Sequence, residues 1–405
     1  MSIKEKVVII GGGPSGLFCA ERLLEKGYAV DLYDHQSGLG KKFLVAGNGG
    51  LNLTHSEDHS SFVKKYGKDE TFFSDLLENF SPDDLRLWCT QIGVETFVGS
   101  SGRVFPVNLK AADILLKWIS KLKSNCNFNL FLKHKLISID KYKNICLINE
   151  NKIVKTQSKY IILALGGASW KKTGSDGKWI NIFSGIDIKV NKFRPMNCGF
   201  ETCWSEYFIK NVRRHPLKNI EISIDNKKIR TEIMITDFGV EGTGIYAFSN
   251  LIRDKINDTS SAIITLDLLP DYSSGDILEK LNKRDSKTSL SNYLRKKFGL
   301  RKVEYTLIRE LIPNEAIINN VELSEKIKSI EIKLNRPRPI DEAISTGGGI
   351  CFSEVTKKME LIKIPGVYVA GEMLDYEAPT GGYLLQGCFS SSYAVVEGIV
   401  NAGAS

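Results

Sequence analysis

Three glycines near the start of the chain have the types and spacing to hold a dinucleotide. Gly11, Gly13 and Gly16 form a GxGxxG pattern within "KVVIIGGGPSGLFCAERLLEKGYAVDLYD". The first glycine of such a pattern permits a tight turn, the second lets backbone N–H groups reach a pyrophosphate, and the third lets the helix pack against the strand. Asp34 follows Gly16 by 18 residues, where its carboxylate can hydrogen-bond the adenosine ribose. The motif leaves open whether the dinucleotide is NAD or FAD.

The elements that must position these residues are also visible. Residues 7–10 are consecutively apolar, which predicts a buried parallel strand. Apolar residues at 17, 20, 23 and 24 then recur at helical spacing, and "AVDLYD" predicts a second strand. The N-terminus of the helix would supply partial positive charge to the pyrophosphate.

Two further stretches are rich in glycine. We interpret "HQSGLGKKFLVAGNGGLNLTH" as a loop because it has too many glycines for a helix. Lys41 and Lys42 are placed where they face the dinucleotide phosphates or, alternatively, are simply exposed. Gly47, Gly49 and Asn52, with their neighbours, suit the close approach of a flat ring with polar edges.

The C-terminal region contains a helix that begins on glycine. After the predicted strand "GVYVAG" come Glu372 and Asp375, and an apolar helix follows Gly381 and Gly382. Glycine is disfavoured in helices by roughly 1 kcal/mol relative to alanine. Either a ligand or another element of the protein therefore approaches this backbone closely.

The remaining strand patterns predict the domain organisation. "KYIILALGG" predicts a buried strand, and "FNLFLK", "LISID", "CLINE" and "KIVKT" before it predict a β-meander. We predict a discontinuous dinucleotide-binding domain over residues 1–190 and 341–405, with an insertion over 191–340. The insertion reads as a small β-barrel with a helical excursion at about 271–330. It contains "GTGIYA", which resembles a second dinucleotide motif but lacks the strand directly before it.

Composition narrows the classes of partner. The 405 residues carry a net charge of +8, but the lysines are scattered among acids, so we expect no nucleic-acid partner. Eight cysteines without a CxxC pair and five histidines predict no metal site. We expect no membrane span, no signal peptide and a cytoplasmic location, since no apolar run approaches about 20 residues. The oligomeric state is left open.

Several motifs together resemble a known family. The stretches "GGGPSGLFCA", "GKKFLVAGNGGLNLTH", "ALGGASWKKTGSDG" and "GVYVAGEMLDYEAPTGGYLLQGCFSSSYA" resemble FAD-binding flavoproteins of the aminoacetone oxidase family, and more distantly fumarate-reductase-type flavoproteins. The family's common arginine and cysteine are replaced by Gly50 and Leu51, and its asparagine by Leu384, so the chain resembles a side branch. The resemblance implies an α/β fold: a three-layer Rossmann-like FAD-binding domain, with a parallel sheet plus β-meander, and an inserted β-barrel and helical domain.

The resemblance also implies residue roles. It points the N–H groups of Leu384 and Leu385 at the pyrimidine edge of the isoalloxazine ring, where a helix N-terminus stabilises negative charge. It assigns Glu372, with Asp375 as second candidate, to the ribityl hydroxyls. The cofactor-binding residues predicted from motifs and resemblance are Gly11, Gly13, Pro14, Ser15, Gly16, Asp34, Lys41, Lys42, Gly47, Asn48, Gly49, Asn52, Leu136, Ala164, Gly166, Gly371, Glu372, Asp375, Gly381, Gly382, Tyr383, Leu384 and Leu385.

The expected function is that of a FAD-dependent oxidoreductase. The FAD would be non-covalent, and a hydride would pass between a small organic substrate and flavin N5. An NAD(P)H-dependent reductase of an unsaturated substrate and an RNA-modifying flavoprotein remain alternatives, with NAD(P)H open as a transient electron donor. Arg103, Tyr383 and His55 are candidates for catalysis; Arg103 could equally form a structural salt bridge, and His55 a loop hydrogen bond.

Overall fold

The computed structural model describes residues 5–47, 49–183 and 185–404, which form two compact units. One unit runs to Pro195 and resumes at Ile340, and the other spans Met196–Pro339. The strands before the second unit are β1 (Lys6–Ile10), β2 (Ala29–Tyr33), β3 (Thr54–His55), β4 (Thr96–Val98), β5 (Arg103–Pro106), β6 (Phe128–Phe131), β7 (His134–Ile139), β8 (Asn144–Asn149), β9 (Lys152–Gln157), β10 (Tyr160–Leu163) and β11 (Val190–Met196). The helices are α1 (Pro14–Glu25), α2 (Lys41–Ala46), α3 (His59–Val63), α4 (Glu70–Asn79), α5 (Pro82–Gln91) and α6 (Ala111–Lys123).

A parallel sheet forms the centre of the first unit. Its order is β20-β10-β1-β2-β6, where β20 (Val367–Val369) comes from the C-terminal part of the chain. Its strands are short apolar runs, as expected where helices cover both faces. The predicted parallel sheet is confirmed. The segment "FNLFLK" was assigned wrongly to the meander: β6 pairs with β2 in this sheet, and only β7, β8 and β9 form the antiparallel meander.

The core of the first unit joins distant parts of the chain. Helix α1 packs against the C-terminal helix α15 (Tyr383–Ala404). The Phe18 ring meets Phe80, Trp88 and Phe389 edge to face at centroid distances of 5.1, 5.9 and 5.0 Å. Such aromatic contacts stabilise the packing of α1 against α15 beyond the effect of the area that they bury.

One predicted loop contains a helix. Residues 41–46 form α2, although the surrounding stretch is rich in glycine. The run "KKFLVA" itself contains no glycine, and glycines only flank it: Gly40 precedes it with φ +63°, and Gly47 ends it. The loop prediction was therefore wrong for these six residues, because composition was averaged over a longer window.

The second unit is built on an antiparallel sheet. Its strands are β12 (Phe200–Glu201), β13 (His215–Ile224), β14 (Lys227–Ile235), β15 (Gly239–Glu241), β16 (Ala262–Asp267), β17 (Ile330–Leu334) and β18 (Arg336–Pro337), in the order β17-β16-β13-β14-β15-β12-β18. Its helices are α7 (Glu206–Asn211), α8 (Thr243–Ala247), α9 (Ser249–Thr259), α10 (Ser274–Asn282), α11 (Leu290–Phe298), α12 (Lys302–Leu311), α13 (Asn314–Ile318) and α14 (Asn320–Lys326). Strand β17 directly follows the predicted helical excursion, and its residues alternate between buried and exposed.

The "GTGIYA" stretch does not form a second dinucleotide fold. The expectation that no strand directly precedes this stretch was wrong, because β15 ends at Glu241. That strand pairs antiparallel with β12 and β14, however, whereas a dinucleotide motif follows a parallel strand. A Cβ on Gly244 would lie 2.5 Å from the Thr231 side chain, so this glycine serves packing.

The chain returns to the first unit through β19 (Ser345–Ile350), which pairs with β11. The predicted fold class, a Rossmann-type parallel sheet with an antiparallel, near-barrel insertion, is confirmed. The assignment of the first unit to FAD and of the second to a cap stays a prediction. No helix in the described part of the chain is long and apolar enough to cross a membrane.

Candidate active site

The three motif glycines are required for three different reasons. Gly11 has φ +111°, and a Cβ there would lie 2.2 Å from the Ala164 carbonyl oxygen at the end of β10. A Cβ on Gly16 would lie 1.9 Å from the Gly11 carbonyl oxygen, so Gly16 lets α1 pack on the strand. No atom lies within 4 Å of a Cβ built on Gly13, which directly precedes Pro14 at the start of α1. Gly13 therefore borders open space at a helix N-terminus, where an anion is favoured.

Asp34 lies at the end of β2 as the motif predicts. Its carboxylate is 8% exposed and accepts hydrogen bonds from the backbone N–H groups of Gly12 (2.6 Å) and Gln36 (2.7 Å). These bonds hold the carboxylate against the glycine loop. A carboxylate has about four acceptor positions, so Asp34 can still accept hydrogen bonds from ribose hydroxyls.

The two adjacent lysines have different partners. The Lys41 ammonium donates to the Gln36 side-chain oxygen at 2.7 Å, on the same loop as Asp34. The Lys42 ammonium instead donates to both carboxylate oxygens of Glu372, at 2.9 and 2.7 Å. Because their partners differ, the two lysines do not share one position from which both would face the phosphates.

Asp375 lies in a separate polar network of the first unit. It accepts hydrogen bonds from Asn191 (2.7 Å) and the Gly348 N–H (2.8 Å), and Arg194 pairs with it at 3.3 Å. Burial favours the neutral carboxyl, but the Asn191 hydrogen bond and the charges of Arg194 and Lys68 together lower the pKa of Asp375. This arrangement joins Asp375 to strands β11 and β19 rather than to Glu372.

The other predicted cofactor residues surround the glycine loop or lie near its ends. Ser15 and Gly371 are close neighbours, since a Cβ on Gly371 would lie 2.2 Å from the Ser15 hydroxyl oxygen. Ala164 and Gly166 follow β10, and Leu136 lies buried in β7.

The predicted residues of the second glycine-rich stretch differ in their surroundings. The backbone of Gly49 has φ +88°, and a Cβ there would meet open space, whereas a Cβ on Gly47 would lie against Ala111. The Asn52 side-chain oxygen is buried without a hydrogen-bond partner among the described residues, and Asn48 lies outside them.

Gly381 and Gly382 are explained by the protein itself. Both have positive φ, +133° and +90°. A Cβ on Gly382 would lie 2.5 Å from the Thr54 Cα atom in β3, and one on Gly381 would lie 2.6 Å from the Tyr383 ring. Of the two explanations that the sequence left open, close approach by another element of the protein is sufficient here, because β3 excludes a side chain at Gly382 and the Tyr383 ring excludes one at Gly381.

The start of α15 nonetheless offers unpaired donors. The first N–H groups of any α-helix have no intrahelical acceptor. Here the first such bond runs from the Gln386 N–H to the Gly382 carbonyl, and among the described residues the N–H groups of Tyr383, Leu384 and Leu385 have no acceptor, so they remain for an external one. This helix has 22 residues, so its N-terminus also carries partial positive charge.

The three candidate catalytic residues lie together. His55 in β3 is directly opposite Arg103 in β5, and the His55 ring stacks on Tyr383 with centroids 5.4 Å apart. No carboxylate of the described residues pairs with Arg103, which argues against a structural salt bridge. The two ring nitrogens of His55 are both used: Nδ1 accepts from the Glu57 N–H (3.2 Å), and Nε2 faces the Ser101 carbonyl (2.9 Å). This pattern argues for a loop hydrogen-bonding role of His55.

Two further residues belong to this cluster, and the sequence patterns did not indicate them. Burial and then the neighbouring Glu57 carboxylate raise the pKa of the Tyr383 phenol, which the charge of Arg103 lowers less strongly. The Lys65 ammonium lies 3.6 Å from Glu57 and 5.7 Å from the centroid of the Tyr383 ring. Neither Glu57 nor Lys65 lies in a recognisable motif, so only the packing of β3 against α15 reveals them.

The residues present fit FAD. Open space at Gly13, the N-terminus of α1 and the Asp34 carboxylate suit the pyrophosphate and adenosine ribose. The unpaired N–H groups at the start of α15 suit the polar edge of an isoalloxazine ring, which an NAD site would not require. No group of three or more metal-ligating side chains occurs in the described ranges.

A family model matches almost the whole chain. The model is described as the HI0933-like protein Rossmann domain, and it matches residues 5–398. Among curated proteins, the chain is 24% identical to a ribosomal RNA dihydrouridine synthase from Haemophilus influenzae, covering 97% of this chain and 98% of that protein. It is 22% identical to the 3-dehydro-bile acid delta(4,6)-reductase of Clostridium scindens, covering 96% and 97%.

Solved structures show the same fold at low identity. A 3-ketosteroid delta1-dehydrogenase from Sterolibacterium denitrificans matches with a TM-score of 0.56 and 11% identity, covering 98% of this chain and 100% of that one. A 3-ketosteroid-delta4-(5alpha)-dehydrogenase from Rhodococcus jostii matches with a TM-score of 0.52 and 14% identity, covering 100% and 97%. The narrower resemblance to the aminoacetone oxidase family is not confirmed, since the relatives carry other names. The chain belongs to the HI0933-like Rossmann-domain family.

Proposed function

We propose that this enzyme reduces a carbon–carbon double bond conjugated to a carbonyl group in a small organic substrate. Bound FAD, once reduced by an external two-electron donor such as NADH or NADPH, would supply the hydride and return to its oxidised form. The names of two relatives, a bile-acid reductase and a dihydrouridine synthase, support reduction as the direction of reaction. The sequence motifs alone do not separate reduction from oxidation of the substrate, whereas the cluster around Tyr383 favours reduction.

The observation that carries the proposal is the buried Tyr383 phenol. Reduction of a conjugated double bond needs a hydride at one carbon and a proton at the other. Tyr383 is 5% exposed, and burial together with Glu57 raises its pKa, so it keeps its proton at neutral pH. It is also the first residue of α15, whose free N–H groups would border the flavin.

Two cations complete the proposed mechanism. A phenol that gives up its proton becomes a phenolate, and burial alone makes that anion unfavourable. The charges of Arg103 and Lys65 beside Tyr383 would offset the negative charge. Arg103 would also orient the carbonyl oxygen of the substrate, because a guanidinium presents several N–H donors in a fixed plane.

Anaerobic single-turnover measurements test this proposal. The reduced enzyme is mixed with 2-cyclohexen-1-one, 4-androstene-3,17-dione or uridine, and flavin reoxidation is followed by absorbance. We expect at least one conjugated carbonyl compound to reoxidise the wild type, and Tyr383→Phe to slow that step by about 100- to 10,000-fold. Reoxidation by oxygen needs no proton at carbon and should change little. A wild type that reacts with oxygen but with none of these compounds would refute the proposal. NADH and NADPH are compared as donors in the same apparatus.

A second substrate, uracil in RNA, is favoured by one surface. The face of the β3-β5-β4 sheet that carries His55 and Arg103 also carries Phe105 and Phe97, whose rings stack at 5.8 Å, and Phe97 is 41% exposed. Exposed aromatic rings beside a guanidinium suit an unstacked base with its phosphate. Ribosomal RNA from cells lacking this protein would be assayed for dihydrouridine by mass spectrometry. A dihydrouridine that disappears, and returns with wild type but not with Phe97→Ala, would support RNA over a small substrate.

A further inference from the structure

A largely buried ion pair joins two distant segments of the first unit. Lys42 in α2 and Glu372 in the short 3-10 helix Gly371–Met373 are 330 residues apart in sequence. The ammonium contacts both carboxylate oxygens, at 2.9 and 2.7 Å. The Glu372 side chain is only 10% exposed, and that of Lys42 is 22% exposed.

The pair lies beside the anion-binding end of α1. Gly371, next to Glu372, packs against Ser15 in the first turn of α1. Burial and then the nearby Glu372 carboxylate raise the pKa of the Cys388 thiol in α15 to about 11, against smaller opposing effects of the hydrogen bonds with Tyr376 and Ser15 and of the charge of Lys42. One carboxylate and one ammonium therefore lie where α1, α15 and α2 meet.

An unpaired carboxylate at this position would oppose binding of a pyrophosphate. Two negative groups near each other in a weakly hydrated site repel strongly, whereas a buried carboxylate with a cationic partner does not. Lys41, the adjacent lysine, bonds Gln36 instead and leaves Glu372 unaffected. Lys41 can therefore serve as the control for Lys42, since it is adjacent in sequence but does not pair with Glu372.

We propose that Lys42 is a positioning residue that acts on the cofactor through Glu372 rather than by binding the pyrophosphate itself. Lys42 neutralises Glu372 and fixes its orientation, so that the carboxylate can accept hydrogen bonds from the ribityl chain without repelling the phosphates. The proposal rests on FAD as the cofactor, and it makes Lys41 dispensable.

A double-mutant cycle on the apoprotein tests the proposal. The variants are Lys42→Met, Glu372→Gln and the double variant, each measured by FAD titration and by thermal unfolding without FAD. We expect Lys42→Met to weaken FAD binding by about tenfold or more and to lower the apoprotein Tm, because it leaves a buried carboxylate unpaired. The double variant should recover much of the Tm that Lys42→Met loses. It should bind FAD no more weakly than Lys42→Met alone.

The opposite pattern would overturn the proposal. If Lys42 bound the pyrophosphate independently, the two substitutions would weaken FAD binding additively and show no coupling in Tm. Lys41→Met is the matched control and should change FAD affinity by less than about twofold. If Lys42→Met does not fold, Lys42→Arg keeps the charge: near-normal FAD affinity supports the proposal, and a large loss with a retained Tm contradicts it.

The thermal-unfolding measurements of the double-mutant cycle also test the role of Lys42 independently of whether FAD is the cofactor. A wild-type apoprotein that takes up no FAD would refute FAD binding, whereas coupling between Lys42 and Glu372 in the absence of FAD would still be measured. Absence of that coupling refutes the role of Lys42 even if FAD binds normally.

Discussion

Replacement of Gly13 by alanine would separate cofactor binding from folding. A Cβ at Gly13 meets no protein atom within 4 Å, and the backbone there, at φ −80° and ψ −177°, is open to any residue. Alanine should therefore not strain the fold. Alanine restricts the unfolded chain, which favours folding by about 0.4–1 kcal/mol, but it is less favourable than glycine at a helix N-cap, so the two effects should largely cancel in the apoprotein.

The same methyl group would occupy the space next to the first turn of α1, where we expect the pyrophosphate. Displacing the phosphate from one backbone N–H would lose a charge-assisted hydrogen bond of about 1.5–3 kcal/mol. This loss corresponds to a roughly 10- to 150-fold weaker affinity for FAD. Gly13→Ala should therefore leave apoprotein stability nearly unchanged while weakening FAD binding, which an ordinary packing defect would not do.

The assay compares FAD titration and apoprotein unfolding for matched variants. Gly275→Ala in α10 is the control, since its nearest neighbour to a new Cβ is 3.7 Å away and no cofactor is expected there. It should leave FAD affinity unchanged. Gly16→Ala should instead impair folding, because its Cβ would lie 1.9 Å from the Gly11 carbonyl oxygen. Wild-type FAD affinity in Gly13→Ala would refute the placement of the pyrophosphate.

Three further predictions concern other parts of the first unit. Burial, with Asp375 and Glu377 nearby, raises the pKa of the Asp69 carboxyl from 3.8 to about 6 in the folded protein. The protonated carboxyl therefore favours the folded state below about pH 4, and this contribution to the free energy of unfolding is lost as the pH rises to about 6. Asp69→Asn should thus stabilise the protein at pH 8 but not at pH 4, as measured by urea unfolding; an equal effect at both pH values would contradict this. Gly382→Ala should lower the Tm of the protein both with and without FAD, because its Cβ would lie 2.5 Å from the Thr54 Cα atom. An unchanged Tm would reopen the explanation that the cofactor excludes a side chain here. Asp34→Asn should weaken FAD binding by about tenfold while keeping one acceptor for the loop N–H groups, and unchanged affinity would place the ribose contact elsewhere.

Local patterns were sufficient for the glycine loop and its strands. The positions of β1, α1 and β2 follow from short-range periodicity, and the motif spacing places Asp34 at the end of β2. The family resemblance extended this to the FAD-dependent fold, although not to the substrate. Errors arose where the local pattern was ambiguous: β6 joined the central sheet, and α2 formed within a glycine-rich stretch.

The sequence by itself therefore determined the Rossmann fold, because the turn, the helix start and the terminal acid of that motif lie within about 30 residues. Only the tertiary structure decided the roles of residues far apart in the chain. It showed that Thr54 excludes a side chain from Gly382, and that Lys42 pairs with Glu372 while Lys41 does not. Such contacts depend on how packed elements meet, which neither periodicity nor residue type encodes locally.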